Sequence, residues 1–425
     1  MAVQAADLVV VGGGAAGMTA AIHAARLRPG LDVLILESRR QPGAKLLVSG
    51  GGRCNIANVR VAPADFNSGQ PRAVAAVLRR FGLRETRAFL ASLGLELEEE
   101  QHGRLYPSSR RAEDVLAAFL REAERLGVRW RCGDPVVSIA LRDDGFHLCV
   151  GADEARAPRV VLAAGGQSLP RSGSDGSGFR LADQLGLELA GPFVPALASL
   201  RLPERHPLLE LAGVSLEAAL RLEGDTTRQI WRGDLLVAHF GLSGPAALDI
   251  SRHALRELET RGRAVLLLDW LPALEEEALR RRLASPAAGR LVEAILREHL
   301  PARLGQALMG LAGLPADLPR AQLSRPRREE LLRQVKRCPL PVMGARSWHH
   351  AEATAGGVAL EELDPATLEA RRVPGLHLCG EVCDVDGRLG GFNFQWAWSS
   401  GALAGRAAAA GLSHVSRERR IDIPC

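Results

Sequence analysis

Apolar positions near the start of the chain form an unbroken run, residues 8–11, directly after Asp7. A segment apolar at every position, rather than at alternate ones, is the pattern of a strand covered on both faces of a parallel sheet. The spacing then lengthens to a helical period over residues 15–27, and a second apolar strand, 33–36, ends at Glu37. Residues 128–139 and 146–150 read as strands about a turn at Asp143-Asp-Gly145, and 159–164 as an apolar strand closing on Gly165 and Gly166. From about 190 to 350 the character differs. Short alternating segments such as 216–222 and 229–238 predict a small β domain, and residues 272–333, rich in Ala, Leu, Glu and Arg with proline interruptions, predict a helical subdomain within it. A last strand, 376–379, and a helix, 394–410, rejoin the first pattern. The expectation is an α/β chain in which residues 1–190 and 351–425 build one domain and 191–350 interrupt it. No repeat of solenoid length is present.

Glycines punctuate both ends of that interrupted domain. In Asp7-Leu-Val-Val-Val-Gly-Gly-Gly-Ala-Ala-Gly17, the residues Gly12, Gly14 and Gly17 have G-x-G-x-x-G spacing between a strand and a helix. The first glycine permits a tight turn, the second lets the backbone approach a pyrophosphate, and the third lets helix and strand pack closely. Ala15 and Ala16 open the helix, whose free N–H groups and positive dipole face the anion. Glu37 stands where ribose hydroxyls are gripped. At the other end, Gly375-Leu-His-Leu-Cys-Gly-Glu381 and Gly390-Gly-Phe-Asn393 read as the closing half of the same nucleotide site. Gly380, Gly391, Phe392 and Asn393 bring backbone close to the ligand, and the helix after Asn393 offers its N–H groups to negative charge. Glu381 is placed to bond a hydroxyl, or alternatively caps a loop with Asp384.

After Glu37 comes Gln41-Pro-Gly-Ala-Lys45-Leu-Leu-Val-Ser49-Gly-Gly-Gly52-Arg53-Cys54-Asn55-Ile-Ala-Asn58. A nicotinamide-binding unit would continue into its next helix and strand. A polar loop with donors at Lys45, Ser49, Arg53 and Asn55, and a close backbone at Gly52, instead suits a long dianionic ligand such as FAD.

This loop resembles the flavoproteins related to BaiN and RdsA, also called HI0933-like oxidoreductases. Besides residues 45–58, the resemblance is carried by Gly103-Arg-Leu-Tyr-Pro-Ser-Ser109, Ala163-Ala-Gly-Gly-Gln-Ser168, Gly173-Ser-Asp-Gly-Ser-Gly178, His239-Phe-Gly-Leu-Ser-Gly-Pro245 and residues 375–405. Together these span nearly the whole chain in order. Departures are mild: that family usually has Phe where Tyr106 sits, Thr at Ala57 and often Tyr at Phe392. The resemblance implies a Rossmann-like FAD-binding domain of the glutathione-reductase-like, two-dinucleotide-binding type, with an inserted mixed β-barrel-like and helical domain. It further implies that the main chain at Val136 meets the adenine, that Ala164 and Gly165 approach the adenine-side phosphates, and that Glu381 bonds a ribityl hydroxyl. No second G-x-G-x-x-G unit occurs in the insertion, so NAD(P)H is expected as a transient reductant without a dedicated domain.

Composition adds bounds. The chain has 425 residues, 47% of them hydrophobic, enough for two or three domains with aliphatic cores. A net charge of +5 is small for this length and accompanies no dense basic block with interleaved aromatics. Seven scattered cysteines do not form a disulfide framework, and no leader or membrane-length apolar run is seen, so a reducing cytoplasm is expected. The Cys379 and Cys383 pair flanks the strand-end acid and is not expected to be a redox disulfide. His349 and His350, read as strand neighbours, would point to opposite faces, so no metal site is expected.

Candidates for proton chemistry are Cys54, Arg53, Tyr106, His239 and His349. A cation beside Cys54 would acidify its thiol, although a buried apolar cysteine is the ordinary case. As a histidine, His239 suits proton transfer, although a packed, hydrogen-bonded residue is the ordinary reading. Three functional readings stand: hydride transfer from NAD(P)H through FAD to an activated C=C in a small molecule; the same chemistry on uridine in large-subunit (23S) ribosomal RNA, which the resemblance implies for one branch and the Arg-rich Leu323-Ser-Arg-Pro-Arg-Arg328 mildly favours; or non-catalytic FAD binding. The sequence leaves the oligomeric state open.

Overall fold

The computed structural model describes residues 3–227, 229–285 and 291–412. The chain divides into two compact units, one built from residues up to Gly191 together with those from Gly356 onward, the other from Pro192 to Ala355.

The first unit is organised by a five-stranded parallel sheet in the order Leu376–Leu378, Arg159–Leu162, Leu8–Val11, Val33–Glu37, Arg129–Cys132. Leu8–Val11 lies between neighbours on both sides and is 0–4% exposed, as its unbroken apolar pattern requires. The strand near the C-terminal end of the chain pairs with Arg159–Leu162, Val160 standing opposite both Val9 and Leu376. Both ends of the chain therefore contribute to one sheet. A second, four-stranded sheet follows the order Val3–Ala5, Asp153–Ala157, Gly145–Val150, Val136–Arg142.

This corrects the reading of residues 128–139 as one strand. Gly133 has φ +99° and Pro135 follows, so the run breaks into Arg129–Cys132 in the parallel sheet and Val136–Arg142 in the other. A proline cannot donate a ladder bond, and a left-handed glycine turns the chain between the sheets.

The first helix, Ala15–Leu27, packs along the last, Phe392–Ala410. Close approach is made by two glycines one turn apart. A side chain at Gly401 would come within 2.5 Å of the Ala16 carbonyl oxygen, and one at Gly405 would run into that of Ala20. His23 lies buried beside this seam, its ring 4.6 Å from Phe89 and 5.4 Å from Phe81. Burial, with Arg406 and Arg26 nearby, pushes its pKa down to about 3. In the unfolded chain the imidazole titrates near ~6.5, so between those values the unfolded state holds the extra proton and stability falls as pH falls. Urea unfolding should show a midpoint that drops on acidification through this window, and His23→Phe should flatten that drop. An unaltered pH dependence in the variant would remove His23 as its source.

The second unit is built on a seven-stranded antiparallel sheet in the order Cys338–Val342, Ala264–Asp269, Ser215–Leu222, Trp231–Ala238, Gly241–Ser243, Leu200–Arg201, Gly344–Ala345. Helix Pro245–Arg261 packs on it through Ala246, Ala247, Ile250, Ala254 and Leu255. Helices Glu276–Ala284, Val292–Leu296, Ala302–Leu311 and Arg325–Lys336 occupy the stretch with helical spacing.

Candidate functional site

The three fingerprint glycines do three different things. Gly12 has φ +107°, donates its N–H to the Leu36 carbonyl oxygen at 2.8 Å, and has no room for a side chain against Ala163. A side chain at Gly17 would run into the Gly12 carbonyl oxygen. Gly14 is the opposite case: a Cβ built there meets nothing within 4 Å. Gly14 also caps the first helix without a capping side chain, and no acidic residue sits in the first turn. The N–H groups at Ala15 and Ala16 have no carbonyl partner within the helix and stand at the positive end of its dipole.

Glu37 ends its strand buried beside this turn. Its Oε2 accepts the Gly13 N–H and its Oε1 the Arg39 N–H, both at 2.8 Å. Two backbone donors hold the carboxylate at the mouth of the fingerprint.

Lys45, Ser168 and Glu381 converge from three separate segments. The Lys45 ammonium donates to Ser168 Oγ and to Glu381 Oε2, each at 2.5 Å, while Ser168 Oγ donates to Glu381 Oε1 at 2.8 Å. Ser168 is fully buried. It lies inside the Ala163–Ser168 motif, yet nothing in its local pattern marks it, because both partners are more than a hundred residues away. Beyond Ala164, Gly165 has φ +75°, and a Cβ there would come within 3.2 Å of Ser174 Oγ. That buried hydroxyl has no hydrogen-bond partner among the described residues. Val136 begins its strand opposite Val150, at the point where the ladder register shifts.

The loop after Lys45 corrects the expectation of an acidified thiol at Cys54. Gly50, Gly51 and Gly52 all have positive φ, and so does Cys54 at +59°. Ser49 Oγ donates to the Leu46 carbonyl oxygen at 2.7 Å, and the Ser49 carbonyl oxygen accepts the Cys54 N–H at 3.1 Å. Cys54 is fully buried, and burial pushes its thiol up to about 12 rather than down. Arg53 does not acidify it. The guanidinium lies over the Tyr106 ring at 4.6 Å and pairs with Glu100 at 3.3 Å. A protonated, enclosed thiol is a poor acid and a poor nucleophile. Iodoacetamide at about pH 8, near an ordinary thiol pKa, should therefore label exposed Cys132 in the folded protein and spare Cys54, by peptide mass mapping. Rapid labelling of Cys54 would reinstate a reactive thiol.

The last helix begins at Phe392, two residues before the start that its sequence pattern predicts, with Gly391 as N-cap at φ +92°. No capping side chain or first-turn acid is present here either. The side chains of Phe392 and Asn393 are spent elsewhere. Phe392 is 1% exposed and packs edge-on against Phe66, and the Asn393 amide clamps Gly387, accepting its N–H at 2.8 Å and donating to its carbonyl at 3.0 Å. Only their main chains are left for a ligand. The Asn55 amide bridges the Ala57 carbonyl and the Gly391 N–H at 3.1 Å each, tying the loop to this helix. Gly380 is pinned to the same helix: its N–H donates to Ser400 Oγ at 2.9 Å and its carbonyl accepts Trp396 Nε1–H at 3.1 Å. Cys379 and Cys383, on either side, are free, buried thiols with raised pKa values.

His239 belongs to the second unit. It is exposed rather than packed, on the turn between Trp231–Ala238 and Gly241–Ser243, with its ring edge-on to Phe240 at 5.0 Å. His349 and His350 lie in a short 3-10 turn, Trp348–His350, not in a strand. Among the described residues no cluster of metal-ligating side chains occurs, and no helix is long and apolar enough to cross a membrane.

A parallel sheet, a fingerprint with one open glycine over an uncapped helix and an acid at the next strand end define a Rossmann-type FAD-binding unit of a flavin-dependent oxidoreductase. The chain belongs to the HI0933-like family: the model of the HI0933-like protein Rossmann domain matches residues 6–407. It is 36% identical to the 3-dehydro-bile acid delta(4,6)-reductase of Clostridium scindens over 94% of this chain and 98% of that protein. It is 34% identical to the ribosomal RNA dihydrouridine synthase of Escherichia coli, over 93% and 96% respectively. The solved structure of E. coli quinol fumarate reductase FrdA matches at 18% identity and a TM-score of 0.52, covering 98% of this chain and 72% of that one, a likeness of fold alone.

Proposed function

We propose that this chain uses FAD to reduce a carbon–carbon double bond conjugated to a carbonyl, with NAD(P)H as hydride source and uridine in ribosomal RNA as substrate. Both relatives' names describe reduction of such a bond: a 4,6-unsaturated 3-oxo bile acid in one, the pyrimidine ring of uridine in the other. FAD held by this chain would supply hydride transfer between nicotinamide and substrate. A proton added at the neighbouring carbon completes the balance.

The residues present fit that cofactor. The open face of Gly14 and the N–H groups of Ala15 and Ala16 suit its pyrophosphate, and Glu37 suits a ribose diol. Glu381, held by Lys45 and Ser168, suits a ribityl hydroxyl, and the uncapped helix at Gly391 suits the electron-rich pyrimidine end of the ring. The orphaned Ser174 hydroxyl beside Gly165 is a further donor. The observation that carries the reading is that both ends of the chain meet at the fingerprint, Glu37 at Gly13 and Gly380 against Ala16, with Gly14 left open.

The substrate rests on weaker support, the basic balance of the chain at pI 9.0. Its test is dihydrouridine in ribosomal RNA, mapped with and without the gene. Loss in the deletion strain and return on complementation are expected. An unchanged pattern would move the substrate to a small-molecule enone.

A further inference from the structure

We propose that the sheet surface around Arg201 in the second unit docks single-stranded RNA, an inference that rests on the uridine reading above. Arg201 sits on a two-residue strand flanked in register by Gly241 on one side and Gly344 on the other. Neither neighbour carries a side chain, and a Cβ at Gly344 would meet nothing within 4 Å. The guanidinium therefore stands on a bare strip of sheet. Phe240 immediately precedes one of these glycines and Met343 the other; Met343 is 55% exposed. Phe240 carries the Arg346 guanidinium over its ring at 4.9 Å and the His239 ring edge-on at 5.0 Å.

The backbone brings these segments side by side. The Phe240 carbonyl accepts the Leu202 N–H at 3.1 Å, the Arg201 carbonyl accepts the Met343 N–H at 2.9 Å, and the Ser199 carbonyl accepts the Arg346 N–H at 2.8 Å. Arg201 and Arg346 are exposed, and neither has a carboxylate within ion-pair distance among the described residues. Other arginines of the unit do, as Arg232 with Glu217 and Arg263 with Glu223 illustrate. Two uncompensated cations on neighbouring strands, one of them stacked on half-buried Phe240, match an unpaired nucleotide strand. Its phosphates take the guanidinium groups, and a splayed base stacks on the Arg346–Phe240 pair.

The test is binding of a fluorescently tagged, uridine-rich single-stranded RNA by the FAD-loaded full-length protein across a salt series. Replacing both arginines, Arg201→Ala with Arg346→Ala, should weaken binding and cut the slope of log affinity against log salt by about 1.4, at ~0.7 for each phosphate no longer neutralised. Phe240→Ala should weaken binding about tenfold with the slope unchanged, because stacking releases no counterions. Flavin content, a property of the first unit, should match wild type in each. Wild-type-like affinity and slope in both variants would overturn the docking surface while leaving the RNA substrate standing. Failure of the flavin-loaded wild-type protein to bind RNA at all would overturn both. Binding of polyglutamate as tightly as RNA would also overturn the surface, since charge alone would then suffice.

Discussion

Gly17→Ala is expected to lose stability, whereas Gly14→Ala folds normally and binds FAD more weakly. The two residues are three apart in one motif, and their surroundings make opposite demands. A methyl at position 17 runs into the Gly12 carbonyl oxygen, backbone against which no rotamer change gives relief. The expected penalty is at or beyond the ~1–3 kcal/mol usual for overpacking. At position 14 the backbone has φ −81° and ψ −172°, which alanine adopts freely, and the added methyl meets only open space. That space is where a pyrophosphate would approach, so FAD affinity should fall by about tenfold or more, ~1.4 kcal/mol, without loss of urea stability. Circular dichroism and flavin-quenching titration separate the outcomes. Unchanged FAD affinity in Gly14→Ala would take the phosphates away from this turn.

Glu37→Ala should weaken FAD binding at least as much. The carboxylate holds two backbone N–H groups, and a diol bound to it would gain charge-assisted hydrogen bonds. Losing bonds to a charged acceptor costs ~1.5–3 kcal/mol, which corresponds to about 10- to 160-fold weaker FAD binding. Glu37→Gln, retaining one acceptor, should fall between. FMN lacks the adenosine half of FAD, so its affinity should not change in either variant. A parallel loss of FMN affinity would show that Glu37 acts by propping the loop at Gly13 rather than by holding the ribose.

What the sequence disclosed follows from the range of the interactions involved. Leu8–Val11 and Ala15–Leu27 were legible because burial on two faces and a helical period write themselves into consecutive residues. Their junction was legible because each glycine there answers a local steric need. Ser168 was not, because a serine in a glycine-rich loop gains meaning only from Lys45 and Glu381, contributed by distant segments. Arg53 was misread for the same reason. Adjacency to Cys54 in the chain suggested a cation beside a thiol, but Tyr106 and Glu100, about fifty residues on, draw the guanidinium away. The apolar run over residues 128–139 is not one strand because the chain leaves one sheet for the other at Gly133 and Pro135. The last helix was placed late because Phe392 and Asn393 resembled ligand contacts, when their side chains serve the core and the preceding turn.

The claim on which the rest depends is that one stretched dinucleotide is held jointly by the two ends of the chain. Titrating flavin-free protein with FAD and, separately, FMN while following flavin fluorescence tests it most directly. One FAD per chain is predicted, with FMN bound weaker by about two orders of magnitude, ~2.7 kcal/mol, for want of the second phosphate and the adenosine. Equal affinity for the two flavins, or uptake of neither, would contradict it.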